Sequence, residues 1–142
     1  MVNWYLYRDG LEKPEFPVYG GMTEQGEPIF VARAWHKRNL LPGYALGGTG
    51  YFTFEGKVIT KTEFEVLLIG DITVGTLERT LPHLRLVVGH TDKHEPLYTG
   101  LAYIHNGVQM MCGQVYKGVL SIALNGKVFT TDRDVKIIAK LS

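Results

Sequence analysis

Hydrophobic and polar residues alternate along several short stretches of the chain, which is the pattern of half-buried β-strands. In residues 63–68, Phe64 and Val66 fall on one face, whereas Glu63 and Glu65 fall on the other. The same alternation, or a short run rich in Val, Ile, Tyr, Phe and Thr, recurs along the chain. These patterns predict strands over residues 4–7, 29–35, 51–54, 63–68, 84–88, 97–104, 119–124, 127–130 and 134–140.

Turn signals separate these strand-like runs. The chain contains 17 glycines, and the dipeptides Glu55-Gly56 and Asn125-Gly126 each stand between two runs. Asn-Gly is the strongest two-residue hairpin signal because both residues accept a positive φ. No stretch of helical length carries apolar residues at i, i+3, i+4 and i+7 without interruption by Gly or Pro. We therefore predict an all-β protein with little helix.

The chain contains an internal sequence repeat with two copies. Residues 21–34 and 89–102 align at an offset of 68 without a gap, and residues 56–58 recur as 126–128 at an offset of 70. The second copy therefore holds two extra residues, which we place near Met110 and Met111. The identical pairs of the first alignment are Gly21 and Gly89, Thr23 and Thr91, Glu27 and Glu95, Pro28 and Pro96, and Ala34 and Ala102.

A repeat of this length that occurs only twice favours a pseudo-symmetric pair of subdomains over an open array. We predict two antiparallel β-sheet subdomains, residues 1–70 and 71–142, that together form one compact unit. Each repeat is too small to bury both faces of its own sheet. For that reason we also expect strand exchange between the subdomains, or a homodimer.

Composition and charge narrow the range of partners. Lys and Arg total 15 against 14 for Asp and Glu, so the net charge of +1 gives no electrostatic footprint for nucleic acid or an anionic membrane. No stretch reaches the apolar length of a membrane span. The first residues lack the basic and apolar regions of a signal peptide. We expect a cytoplasmic protein. Release from the cell by a route that needs no signal peptide is a further possibility.

The sequence offers little support for a catalytic or a metal-binding site. Ser121 lies in an apolar run without the G-x-S-x-G motif of serine hydrolases, and the single Cys112 reads as a packing residue rather than a nucleophile. His90 and His94 flank Asp92 at a spacing that binds metal on a helix, but the surrounding loop residues supply no helix. We predict no enzymatic activity, no metal and no cofactor.

Several longer motifs resemble the DM-nine (DM9) repeat family, which includes mannose-binding lectins. They are G-G-M-T-E-Q-G-E-P-I-F-V-A-R-A-W-H over residues 20–36, L-P-G over 41–43, Y-F-T-F-E-G-K over 51–57 and F-E-V-L-L over 64–68. The second copy keeps the glycines and the E-P pair but is looser. The resemblance implies small β-sheet subdomains that exchange strands and often dimerise, with carbohydrate bound in a pocket formed by each repeat.

The resemblance also implies particular site residues. In mannose-binding members an aspartate soon after the first glycine and a lysine after the Pro-Gly turn contact the sugar. Here the aspartate position holds threonine, with an acid one residue later, and the lysine position holds tyrosine or glutamine. The candidate ligand residues at these positions are Thr23, Glu24 and Tyr44 in the first copy and Thr91, Asp92 and Gln114 in the second.

Four further residues have two interpretations each. Arg33 is either a ligand contact or a structural donor to a glutamate such as Glu65. Trp35 and Tyr103 occupy equivalent positions, where an aromatic ring either packs in the core or stacks on the C–H face of a sugar. His36 matches a histidine of the family and is either a surface donor or a ligand contact.

These observations predict a carbohydrate-binding recognition protein for mannose-type glycans, with a role in innate defence and a homodimeric state. The alternative is an intracellular scaffold or trafficking-associated interaction protein whose sugar pocket has decayed. Saturable binding to a glycan separates the two, because a scaffold shows none.

Overall fold

The computed structural model describes residues 1–8, 10–104, 107 and 109–141. These residues form antiparallel β-strands and two three-residue 3-10 turns, Leu77–Arg79 and Pro82–Leu84, which confirms the all-β prediction. The strands are β1 Trp4–Tyr7, β2 Tyr19–Met22, β3 Pro28–His36, β4 Asn39–Leu46, β5 Thr49–Phe54, β6 Lys57–Lys61, β7 Phe64–Leu67, β8 Ile72–Thr76, β9 Gly89–His90, β10 Pro96–Ile104, β11 Gln109–Tyr116, β12 Val119–Leu124, β13 Lys127–Thr131 and β14 Lys136–Lys140.

The two halves of the chain repeat one strand order. The first half pairs β1-β7-β3-β4-β5-β6, and the second pairs β8-β14-β10-β11-β12-β13. Short strands β2 and β9 lie beside β3 and β10. Among the described residues, the pairing that joins the halves is Leu40 with His90. Strand exchange is therefore not confirmed, and the division at residue 70 stays a prediction.

The position of the two extra residues in the second copy differs from our expectation. Strands β3 and β10 end at His36 and Ile104, which keeps the offset of 68, whereas β4 and β11 begin at Asn39 and Gln109, an offset of 70. The insertion therefore falls between residues 104 and 109. Our placement near residues 110 and 111 was wrong because these residues already belong to a paired strand.

One predicted strand, residues 84–88, does not form a ladder. Leu86 and Val88 are buried and alternate with exposed Val87, as the pattern indicated. The segment follows a 3-10 turn and meets the sheet only through an isolated bridge of Arg85 with Ala139 and single backbone bonds. An alternating pattern reports burial on one side, and it does not guarantee a continuous partner strand.

Both predicted two-residue hairpins are present. Glu55 and Gly56 have φ values of 50° and 76°, and Asn125 and Gly126 have values of 50° and 77°. Positive φ at both positions is the geometry that matches the twist of antiparallel strands. The two hairpins project toward the opposite half of the molecule, where they border the cavities described below.

The halves share a hydrophobic core. One cluster of buried residues contains Ile29, Val31 and Leu67 from the first half together with Met111 and Ile138 from the second. Burial of this apolar surface is the main force that holds the halves against each other. Within the described part of the chain, no helix has the length and apolar character needed to cross a membrane.

Candidate functional site

The turn over residues 23–27 follows β2 and is held by its own threonine. The Thr23 backbone N–H donates to the Glu27 carbonyl at 2.8 Å, and the Gly26 N–H donates to the Thr23 carbonyl at 2.9 Å. The Thr23 hydroxyl oxygen accepts from the Glu27 N–H at 3.1 Å. Threonine thus has a structural role here, and it leaves Glu24 exposed at the tip of the turn.

The turn over residues 91–95 has the same conformation. The Thr91 N–H donates to the Glu95 carbonyl at 2.9 Å and the His94 N–H donates to the Thr91 carbonyl at 3.0 Å. The Thr91 hydroxyl accepts from the Glu95 N–H at 3.1 Å. His94 adopts a φ of 64° where the first turn has Gly26 at 84°. The repeat therefore extends to the bonding of each turn.

A cavity of about 380 Å³ lies between the first turn and the opposite half of the molecule, and we call it the first cavity. The first half supplies the turn and side chains of β4 to β6. The second half supplies side chains of β11 and β12 and the hairpin at residues 125 and 126. The polar and aromatic residues that line it include Thr23, Glu24, Tyr44, Tyr51, Gln109 and Asn125.

Tyr44 forms the floor of the first cavity. It is 6% exposed, and its hydroxyl donates to the Ala123 carbonyl of the other half at 2.6 Å. Its ring stacks on Tyr51 with centroids 5.3 Å apart. Burial raises the pKa of Tyr44, with smaller contributions from Cys112 and Tyr51. The side chain is therefore a neutral donor committed to the interface between the halves.

Gln109 lines the same cavity and has a buried side-chain oxygen. It is 7% exposed, and its Nε2 donates to the Met22 carbonyl at 3.0 Å and contacts the Met111 sulfur at 3.3 Å. Its Oε1 is buried and accepts no hydrogen bond within the described part of the protein. A buried acceptor without a donor costs about 1–3 kcal/mol, so a donor brought by a ligand would be stabilised there.

A second cavity, of about 330 Å³, lies at the equivalent place in the other half. Thr91, Asp92 and Gln114 line it together with Asn39 and Glu55 of the first half. The Asp92 N–H donates to Asn39 Oδ1 at 2.9 Å. The Oε1 of Gln114 is buried and has no partner among the described residues. Each cavity thus combines a turn of one half with a hairpin of the other.

Glu95 closes one side of the second cavity through contacts within its own half. It accepts from the Tyr116 hydroxyl at 2.9 Å and lies 3.6 Å from the Lys117 ammonium. The hydrogen bond from Tyr116, and then the charge of Lys117, lower the pKa of the Glu95 carboxyl. This carboxylate stays ionised and already has a cation beside it.

The sequence over residues 23–129 matches the family described as DM9 repeat. The chain belongs to the DM9 repeat family. The match begins at the first turn and ends in β13, so it includes both turns and both hairpins that border the cavities. The resemblance stated from the motifs is therefore confirmed.

The fold is also found in a solved structure. The nematode sperm cell motility protein MFP2B is similar to this DM9 chain with a TM-score of 0.73 at 15% sequence identity, over 100% of this chain and 45% of that one. This DM9 chain thus spans less than half the length of the protein that it resembles. No curated protein gave a match. At this identity the likeness shows the fold.

Arg33 and Trp35 of the DM9 chain lie away from both cavities. The Arg33 Nε donates to Glu65 Oε1 at 2.9 Å, and another guanidinium nitrogen donates to the Val88 carbonyl at 2.9 Å. Its guanidinium carbon sits 4.0 Å from the centre of the Trp4 ring. These contacts join β3 to β1, β7 and the segment at residue 88, as the structural interpretation of Arg33 predicted. Trp35 lines a surface groove together with Arg33 and Glu65, and it is 57% exposed.

His36 and Tyr103 are also outside the two cavities. The His36 ring meets Phe54 edge-on at 5.0 Å, and burial, followed by the charges of Lys61 and Lys37, lowers the pKa of His36. Tyr103 is 56% exposed on β10. The structure therefore groups Thr23, Glu24 and Tyr44 in one cavity and Thr91, Asp92 and Gln114 in the other, and it places the remaining four candidates elsewhere.

The potentially reactive side chains have unreactive surroundings. Burial raises the pKa of the Cys112 thiol to about 12, so it stays protonated at neutral pH. The His90 and His94 rings lie 5.6 Å apart, but within the described residues no three His, Cys, Asp or Glu side chains converge as metal ligands.

Sequence reasoning missed the residues that the opposite half contributes. Gln109 and Asn125 line the first cavity, and Asn39 and Glu55 line the second. One signal was present in the sequence, because Asn39 and Gln109 hold an amide at the same position of the two repeats, next to the hairpin that carries the insertion.

Proposed function

We propose that this DM9 protein is a non-catalytic carbohydrate-binding protein and that the first cavity is its sugar site. The observation that carries the proposal is the buried Gln109 Oε1, an acceptor without a donor beside a cavity of monosaccharide size. Sugar hydroxyls both donate and accept, so they match the Gln109 amide oxygen, the Glu24 carboxylate and the Asn125 amide. Tyr51 adds an aromatic surface for the apolar face of the ring.

A mannose-type ligand and a role in innate defence are the more specific form of this proposal. Their support is membership of the DM9 family, which includes mannose-binding lectins. The second cavity also has a buried acceptor, Gln114 Oε1, without a partner among the described residues. It is a weaker candidate because Asn39 Oδ1 already accepts from the Asp92 N–H and Lys117 already pairs with Glu95. We expect the two halves to bind sugar unequally.

Titration with mannose, followed by calorimetry and by the NMR signals of residues 23–27, tests the site. Thr60 lines the first cavity at an exposed position of β6, and Thr130 is its equivalent in the second half, outside the lining of either cavity. Thr60→Trp should fill the entrance and weaken mannose binding by about tenfold or more, which is about 1.4 kcal/mol. Thr130→Trp is the matched control and should leave affinity unchanged.

Two results would contradict the sugar site. One is the absence of saturable binding across a glycan panel at millimolar concentration. The other is an equal loss of affinity in both tryptophan variants, since a sugar at the first cavity meets only one of the two side chains.

The second candidate is a protein-interaction role, with a homodimer as its simplest form. An aromatic groove of about 450 Å³, lined in part by Tyr7, Tyr19, Phe30 and Phe64, favours it. The similar solved protein is a nematode sperm cell motility protein. Sedimentation of wild type and of Tyr19→Ser tests this candidate. A stable dimer that the substitution weakens would support it, and a monomer at all concentrations would count against the homodimer.

A further inference from the structure

We propose that the first cavity selects a sugar that carries a protonated amine, such as a hexosamine with a free ammonium group, over its neutral or N-acetylated counterpart. The inference rests on the proposed sugar site and names the class of ligand that it takes. It comes from a comparison of the two cavities, which are built from equivalent strands and turns of the two repeats but differ in which acceptors already have a partner in the protein.

In the second half, the carboxylate at the end of the turn has two partners of its own. Glu95 accepts from the Tyr116 hydroxyl at 2.9 Å and faces the Lys117 ammonium at 3.6 Å. Tyr116 ends β11, and Lys117 begins the following hairpin turn with a φ of 49°. The ammonium group that pairs with Glu95 therefore belongs to a turn residue in the left-handed region of φ.

In the first half, both partners are replaced. The equivalent carboxylate belongs to Glu27, and the positions of Tyr116 and Lys117 are taken by Leu46 and Gly47, which end β4 and begin its hairpin turn. Among the described residues, the Glu27 side chain makes no hydrogen bond or ion pair, and the lining of the first cavity contains no Lys, Arg or His.

A second pair of equivalent residues, Asn39 and Gln109, shows the same difference between the two cavities. At the second cavity, Oδ1 of Asn39 from the first half accepts from the Asp92 N–H at 2.9 Å. At the first cavity, the equivalent amide is that of Gln109 from the second half, which is 7% exposed and whose Oε1 accepts nothing within the described residues. Two acceptors that have partners within the protein at the second cavity are thus without partners among the described residues at the first cavity.

A ligand that satisfies both acceptors needs a cation and further donors. An ammonium group supplies three N–H donors and a positive charge for Glu27, and charge-assisted bonds are about twice as strong as neutral ones. The sugar hydroxyls supply donors for the Gln109 oxygen. N-acetylation removes the charge and adds bulk, so it removes the reason for the preference.

Calorimetric titration of the intact protein with glucosamine, N-acetylglucosamine and glucose, at a mildly acidic pH where the amine is protonated, measures the preference. We expect glucosamine to bind about tenfold more tightly than the other two at low salt, with the advantage reduced as salt is added. Methylamine has the charge without the ring and should bind at least about tenfold more weakly than glucosamine.

Two variants locate the effect. Glu27→Gln keeps the shape of the side chain but removes its charge, so it should remove the preference for the amine and lower glucosamine affinity to about that of glucose. Gly47→Lys installs the cation of the second half and should likewise abolish the preference. Lysine can adopt this backbone conformation, since the φ of 49° at Lys117 is close to the 61° of Gly47, and a methyl group at Gly47 meets nothing within 4 Å. A side chain at this positive φ lowers stability, and Gly47→Ala carries the same cost. Gly47→Ala is the matched control without charge and should retain the preference.

Equal affinity for glucosamine and glucose would overturn this inference and leave the sugar site intact. The preference for an amine is equally overturned if Glu27→Gln, shown to be folded, keeps it in full, or if methylamine binds as well as glucosamine. No binding of any sugar would overturn both the inference and the proposed function.

Discussion

Tyr44 and Gln114 hold the same place in the two repeats but differ in how their polar atoms are satisfied. The Tyr44 hydroxyl donates to the Ala123 carbonyl across the interface between the halves, whereas Gln114 Oε1 accepts nothing within the described residues. Tyr44→Phe keeps the stacked ring and leaves the carbonyl without its donor. We expect the free energy of unfolding to fall by about 1–2 kcal/mol in urea titrations.

Tyr51→Phe is the control for that measurement. Tyr51 stacks on Tyr44 with centroids 5.3 Å apart, and its hydroxyl makes no bond among the described residues. Its loss should therefore change stability by less than about 0.5 kcal/mol. Equal effects of the two substitutions would show that the Tyr44 bond contributes nothing specific.

The family's acid and lysine can be restored at the same two positions. Thr23→Asp keeps an acceptor for the Glu27 N–H, because aspartate forms the same turn bond. Combined with Tyr44→Lys, it adds two charge-assisted contacts of about 1.5–3 kcal/mol each before desolvation. We expect tighter mannose binding by calorimetry, at a cost in stability. The equivalent pair Thr91→Asp and Gln114→Lys should help less, and no gain in a folded first-half variant would refute this alignment with the family's sugar contacts.

At the scale of strands, the close approach of the two halves depends on glycine. Gly89 of β9 lies against the carbonyl oxygen of Leu40 in β4, and Gly21 of β2 lies against that of Met110 in β11. A methyl group at either position would overlap the oxygen of the opposite half. Gly89 has no positive φ, so its substitution tests this packing alone.

Gly89→Ala should lower the free energy of unfolding by about 2–3 kcal/mol, since overpacking forces the strands apart. Gly48→Ala is a matched control, because a methyl group there meets its nearest atom, the Tyr7 hydroxyl, at 3.6 Å. Thermal unfolding of the two variants measures the difference. A stable Gly89→Ala protein would mean that β4 and β9 are not packed against each other in solution.

The same elements show what the sequence could and could not predict. Residues 4–7 and 119–124 were predicted with their observed bounds, because flanking turns and β-branched or aromatic residues mark them. Strand β4 was missed. Nearly all its residues are buried, so they do not alternate, and the Pro42-Gly43 pair inside it is typical of a turn.

Some residues of the candidate site could also be predicted from the sequence, and others could not. The turn residues Thr23, Glu24, Thr91 and Asp92 could be found from one repeat at a time, since family motifs and the internal alignment both point to them. Gln109 and Asn125 could not, because they enter the first cavity from the other half. Sequence patterns report which residues a strand buries, and they do not report which repeat lies opposite.

At the scale of the whole molecule, the shared core predicts that the two halves unfold together. Residues of both halves belong to one buried cluster, so loss of either half exposes apolar surface of the other. The chain carries separate reporters for the test. Both tryptophans, Trp4 and Trp35, lie in the first half, and the single Cys112 lies buried in the second.

We expect tryptophan fluorescence and the reaction of Cys112 with a thiol reagent to give the same midpoint in urea. The buried thiol, whose pKa is raised to about 12, should react only after unfolding. A Cys112→Ser variant that shows the same fluorescence transition but no labelling would confirm the site of the reaction. Different midpoints for fluorescence and for labelling would mean that one half unfolds while the other remains folded. The halves would then be independent domains, and a binding cavity built from both would be lost when either one unfolds.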